Sequence, residues 1–205
     1  MAETSTKFPR IFIWVGSAVV ILAIIAAVVI SNANNSKADI PVYRSMPEFQ
    51  FVDQNGQPFG TGDLKGKITV LDFFFANCQG PCPVMSGNME VLYQQFSGSD
   101  KIQFVSISVD PARDTLAALQ QYARQHGVTD SRWEFLRGPI DQVADLSHNG
   151  LKLAGEMPMG HSTRFVLIDD QARVRGYYRG MDQESLKVLK THMKQLVRQL
   201  PKNSA

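Results

Sequence analysis

Cysteine is nearly absent from this chain: Cys78 and Cys82 are the only two among 205 residues. Two cysteines cannot build a disulfide-dense scaffold or fill a four-thiolate zinc site, so any special thiol chemistry rests on one pair. An excess of charge of either sign is missing as well. Twenty-one basic and nineteen acidic residues leave a net +2, which gives no field that would imply a nucleic-acid partner. Internal repeats are lacking, and the only biased stretch is a short polar one at 31–36 (SNANNS). A chain that is 44% hydrophobic and 20% charged is too apolar to be disordered, and its length suits one domain plus an appendage.

The appendage is marked by a local absence. Residues 11–30 contain no charge, and Gly16 and Ser17 alone interrupt Val, Ile, Ala, Leu, Phe and Trp. At 1.5 Å per residue a helix of that length spans the roughly 30 Å hydrocarbon core of a bilayer. Lys7 and Arg10 precede the run, and positive charge on that flank places the N-terminus in the cytoplasm and exports the remainder. A cleaved signal peptide is the rival, with Ala26, Ala27 and Ala33 leaving room for cleavage. Its apolar region should be only about 7–15 residues long, so an uncleaved anchor is favoured. The expected organisation is a cytoplasmic N-terminus at 1–10, a transmembrane anchor at 11–30, a linker at 31–47, one folded domain at 48–201 and a tail at 202–205. The domain then lies where a disulfide is permitted.

Within the domain, residues 49–59 predict a hairpin around Asn55-Gly56. Residues 68–75 (ITVLDFFF) form a continuous β-rich apolar run, as in a strand buried on both faces. Met85, Met89, Leu92, Tyr93 and Phe96 recur at helical spacing, and 102–109 (IQFVSISV) returns to strand character. Asp110-Pro111 is expected to open a helix with proline in its first turn, ending at His126-Gly127. A strand at 133–137, a helix at 139–148, a hairpin of 163–169 with 174–178 and a last helix at 185–200 complete the order. Such alternation predicts an α/β sheet with helices on both faces.

The chemistry falls at one strand-to-helix turn, Asn77-Cys78-Gln79-Gly80-Pro81-Cys82-Pro83. A thiolate at a helix N-terminus is stabilised, so a lowered Cys82 pKa is expected there. Gly80 and Pro81 allow a turn that brings the sulfurs together. A reversible disulfide, a pair of thiolates on a soft metal and a plain structural disulfide all remain open. Among the histidines, His126 and His148 precede helix-stopping residues and suit helix C-termini, while His192 is expected to be solvated. His161 stands in a loop, Met157-Pro158-Met159-Gly160-His161-Ser162-Thr163. Two thiolates and one imidazole are a donor set that suits Cu(I). Met157 and Met159 are taken as loop packing, and Asp110 and Asp114 as helix caps.

Four motifs in order carry a resemblance: F-x3-C-x3-C-P after an apolar strand (74–83), S-V-D-P-x-R-D-T (108–115), W-x-F-L-x-G (133–138) and H-S-T before a strand (161–163). Over about residues 45–200 the chain resembles the SCO/SenC proteins, membrane-anchored thioredoxin-like factors for cytochrome c oxidase assembly. The resemblance implies a thioredoxin-like fold in which Cys78, Cys82 and His161 together bind one copper ion. It also sets Asp110 and Asp114 on the family's acidic motif near the copper. The chain departs from many relatives at Ala76-Asn77 and Gln79-Gly80, where a threonine two residues before the first cysteine and a Pro-Asp after it are usual. Ligand types and spacing are intact.

The implied role is a metallochaperone delivering copper to the oxidase's copper-centre subunit, with a copper donor or thiol reductant as second partner. The expected location is a bacterial inner membrane, single-pass, with the domain in the periplasm. The alternative is a thiol–disulfide oxidoreductase using Cys78 and Cys82 as a redox pair without a metal. A thioredoxin-like peroxidase is disfavoured, because Phe75 stands where its pattern needs threonine.

Overall fold

A computed structural model describes residues 10–35, 39–78, 80–155 and 162–201. It divides into two compact units, 1–39 and 40–205. In the first, α1 (Arg10–Asn35) takes up the whole apolar run. Its described side chains, 14–28, are exposed. Among the described residues no helix is long and apolar enough to cross a membrane.

The second unit is built on a six-stranded sheet of order β1-β8-β7-β4-β5-β6. Its strands are β1 (Arg44–Ser45), β4 (Ile68–Phe74), β5 (Ile102–Ser108), β6 (Trp133–Leu136), β7 (Arg164–Ile168) and β8 (Arg173–Arg179). A separate hairpin pairs β2 (Gln50–Val52) with β3 (Pro58–Gly60). β4 runs parallel to β5 on one side and antiparallel to β7 on the other. That central place explains why all seven of its residues are buried, and why its sequence lacks the alternation of a half-exposed strand.

Alternate β4 residues feed two cores. Ile68, Val70 and Phe74 pack with α2 (Cys82–Gln95), α3 (Leu116–Gln125) and α5 (Gln183–Gln199). Leu71 and Phe73 pack beneath the hairpin, α4 (Ile140–Asp145) and the π-turn Leu146–Gly150. The layered α/β sheet with helices on both faces is as the alternation predicts. The hairpin turns at Gly56, whose φ of +77° is the left-handed conformation that favours glycine.

Three expectations are corrected. The helix expected from Pro111 begins at Leu116, where Thr115 Oγ1 accepts the Ala118 N–H at 3.3 Å. The cap is therefore Thr115, and neither Asp110 nor Asp114 serves it. The helix expected over 139–148 is α-helical only to Asp145 and ends in the π-turn that carries His148. His192 is half-buried rather than solvated. Its Nδ1 lies 2.6 Å from Tyr178 Oη, and burial pulls its pKa down. His126 does cap α3, with Nδ1 3.0 Å from Glu90.

Candidate metal and thiol site

β4 ends at Phe74, and the chain turns through 75–81 into α2 at Cys82. The Cys78 N–H donates to the Phe75 carbonyl at 3.3 Å, and the Gly80 N–H donates to Cys78 Sγ at 3.4 Å. The turn therefore folds back toward the strand end, and the proline after Cys82 suits the first helical turn. Neither cysteine is in a disulfide. Cys82 is 1% exposed, whereas Cys78 is half-buried.

The sulfurs are close enough to interact, and their electrostatics differ from expectation. Burial pushes the Cys82 thiol up to about 12. The hydrogen bond with Cys78 and the charges of Cys78 and Asp72 push the same way, against the Phe75 backbone N–H. The lowered pKa expected at a helix start is overturned because desolvation of a thiolate outweighs the helix terminus. A metal held here displaces that proton as it binds.

Asp114 braces the loop from below. It is 1% exposed, accepts the Ser108 hydroxyl at 2.5 Å, and takes the Ala76 N–H at 3.3 Å on each oxygen. Ala76 lies two residues before Cys78, so this carboxyl holds the turn without touching the sulfurs. Asp110 instead pairs with the exposed Arg113 at 2.8 Å. Burial raises the Asp114 pKa, against the Ser108 and Ala76 donors.

One carboxyl escaped the sequence reading. Asp72 sits inside the apolar run of β4, 1% exposed, directly opposite Ser106 of β5. The Trp133 indole N–H donates to Ser106 Oγ at 3.0 Å, so the Ser106 proton is free to turn to Asp72. Oδ1 of Asp72 has no partner among the described residues. Burial raises its pKa to about 7, the Ser106 bond opposing. The one available signal was an acidic residue in an otherwise apolar strand.

His161, Met157 and Met159 lie outside the described residues. Thr163, two positions after His161, is placed: its carbonyl accepts the Gly180 N–H at 2.9 Å. A Cβ on Gly180 would lie 3.1 Å from both that carbonyl and Met85 Cε. The chain at 163 therefore runs beside the first turn of α2, the helix that Cys82 opens. Among the described residues no group of three or more His, Cys, Asp or Glu could hold a metal. Two soft sulfurs are the donors present, and they fit a soft ion lacking at least one more ligand.

This sheet, with a paired-cysteine turn between its central strand and the next helix, defines a thioredoxin-like thiol protein. The particular family follows from comparison: residues 38–198 match the SCO1/SenC family model, and the chain belongs to that family. A SCO1/SenC family lipoprotein from Bacillus anthracis is 34% identical, with a TM-score of 0.71 over 77% of this chain and 97% of that one. Bradyrhizobium japonicum ScoI, solved with copper bound, is 27% identical, with a TM-score of 0.58 over 71% and 98%. BsSco, a member of the Sco family of cytochrome c oxidase assembly proteins, shares the fold at 24% identity, with a TM-score of 0.68 over 78% and 96%.

Proposed function

We propose that this chain binds one copper ion through Cys78, Cys82 and His161 and delivers it to the copper-centre subunit of cytochrome c oxidase. The observation that carries this is the pairing of a buried and a reachable sulfur at the β4–α2 turn, with Thr163 beside the same helix. Two residues of chain span at most about 7 Å, so residue 161 stays near Thr163, and its imidazole is the proposed third donor. Copper is the cargo, and a site of two thiolates and one imidazole keeps it bound in reducing conditions while leaving it open to a receiving ligand. Only the reduced pair can ligate, so loading depends on the redox state of the cysteines. Asp114 keeps the turn in place through Ala76, and Asp72 adds negative charge near Cys82 only where the pH exceeds its raised pKa of about 7.

Helix α1 is proposed as the membrane anchor. Its support is the uncharged run of 11–30, all of it helical, with Lys7 and Arg10 on the cytoplasmic side. The copper domain then faces the periplasm of a bacterial inner membrane. Its partners there are the oxidase subunit and a copper donor or thiol reductant.

The difference in exposure between the two cysteines also suits thiol–disulfide exchange. Cys78 attacks a partner disulfide and forms a mixed disulfide, releasing one partner thiol. Cys82 then attacks Cys78 Sγ, releases the second, and leaves this chain oxidised. One experiment separates the two roles. Reduced protein is titrated with Cu(I) against a competing chelator for wild type, Cys78→Ser, Cys82→Ser and His161→Ala. One tightly held copper in wild type, none in either cysteine variant and weakened binding in His161→Ala are expected. Copper held by His161→Ala as tightly as by wild type, with rapid reduction of an oxidase copper-site disulfide, transfers the role to the reductase. Chelator-resistant copper in either cysteine variant overturns the site.

A further inference from the structure

One polar pocket is lined by neither cysteine. Tyr43, Arg44, Lys152, Leu153, Ala154, Arg164 and Tyr177 line an open cleft of about 330 Å³. Three of its side chains are cationic and none is a carboxylate. They come from four separate segments: β1 and the residue before it, β7, β8 and the stretch at 152–154. The Arg44 guanidinium spends one donor on the Gly150 carbonyl at 2.8 Å. Its Nε and the Tyr177 hydroxyl are both buried with no hydrogen-bond partner among the described residues. Tyr43 stands edge-on to Tyr177, ring centroids 5.8 Å apart, and closes one wall. Lys152 is held at a φ of +54°, a left-handed conformation that a side chain with a Cβ adopts only at a cost.

Each of these features is unfavourable alone. A desolvated donor without an acceptor is costly, and like charges around one cavity repel. An oxyanion satisfies the orphaned donors and offsets the like charges at once. Burial keeps the Tyr177 phenol protonated, because it raises the pKa, so that hydroxyl remains a donor. A flat carboxylate presents its acceptors in one plane and is best met by a single guanidinium fork. Donors arriving from four segments suit a tetrahedral group with more acceptor oxygens and more charge. We infer that the pocket bounded by Arg44, Lys152, Arg164 and Tyr177 binds a phosphate group, carried by inorganic phosphate or an anionic phospholipid headgroup. The site is independent of the copper proposal, since none of its residues is a candidate ligand.

The test is calorimetric titration of the full chain in neutral detergent. The probes are inorganic phosphate, dihexanoyl phosphatidylglycerol, dihexanoyl phosphatidylcholine and N-acetylglutamate. Saturable one-site binding of phosphate or phosphatidylglycerol is expected. Arg44→Gln or Arg164→Gln should weaken it about tenfold or more, the size of one charge-assisted hydrogen bond. Preference for phosphatidylglycerol over both phosphate and phosphatidylcholine identifies a lipid headgroup, and equal or better binding of phosphate identifies the free anion. Tyr177→Phe guards against a folding artefact: it should weaken binding while leaving the anion-free unfolding temperature unchanged or higher. Absence of saturable phosphate and phosphatidylglycerol binding, unaltered binding in these variants, or binding of N-acetylglutamate alone overturns the assignment.

Discussion

Replacing Asp72 by asparagine removes one buried ionisation from the middle of the sheet while keeping the shape of the side chain. The folded protein holds this carboxyl near a pKa of about 7, against 3.8 for an unperturbed aspartate. Between those values the folded chain keeps a proton that the unfolded chain has lost. Raising the pH therefore favours unfolding, and the cost of the aspartate is complete once the pH exceeds the folded value. A difference of about three units corresponds to about 4 kcal/mol at 1.36 kcal/mol per unit, a large part of a typical 5–15 kcal/mol stability. The buried Glu134 carboxyl is also raised to about 7 and pulls the same way, but it is common to both proteins and cancels in the comparison. Urea unfolding of reduced, metal-free wild type and Asp72→Asn, at half-unit steps from pH 4 to 8.5, measures the difference directly. Wild type should lose stability relative to the variant by up to about 1.4 kcal/mol per pH unit, then level off above pH 7. Parallel profiles refute the reasoning, as does a wild type that gains on the variant with rising pH.

Asp114→Ala should lower both stability and copper affinity. It strips the acceptor from the Ala76 N–H and the Ser108 hydroxyl, at about 1–3 kcal/mol for each buried group left unpaired. Asp110→Ala, which loses only an exposed pair with Arg113, should change affinity little, and chelator competition on both variants checks the contrast. Gly138→Ala should cost about 1–3 kcal/mol in urea unfolding, because its Cβ would stand 2.2 Å from Cδ1 of the buried Phe51 ring.

Much of the fold was legible because the residues that specify it act locally. The apolar, β-rich run at 68–75 reads as a strand covered on both faces, and Asn55-Gly56 as a tight reversal. The cysteine turn was legible for the same reason, since strand, Gly-Pro and Cys-Pro are contiguous. What escaped depends on distant partners. Asp114 reads as a helix cap until Ala76, thirty-eight positions away, claims its carboxylate. Pro111 reads as a first helical residue, yet Asp114 is already committed to Ser108 and Ala76, and the helix waits for Thr115. The thiol pKa was misjudged because the helix N-terminus is visible in sequence and depth of burial is not. β1 is two residues long and carries no pattern to read.

The two edges of the sheet have a consequence of their own. One edge is β1, too short to template a neighbour. At the other, the backbone of β6 is already occupied: Gln54 Oε1 accepts the Phe135 N–H at 2.8 Å, and Val52 and Arg137 exchange backbone bonds. An open strand edge invites pairing with another copy. A domain tethered to a membrane, as proposed here, meets its copies in two dimensions at high local density. With β6 covered and β1 only two residues long, crowding on that surface meets little open strand edge, and the molecules stay free to find a different partner.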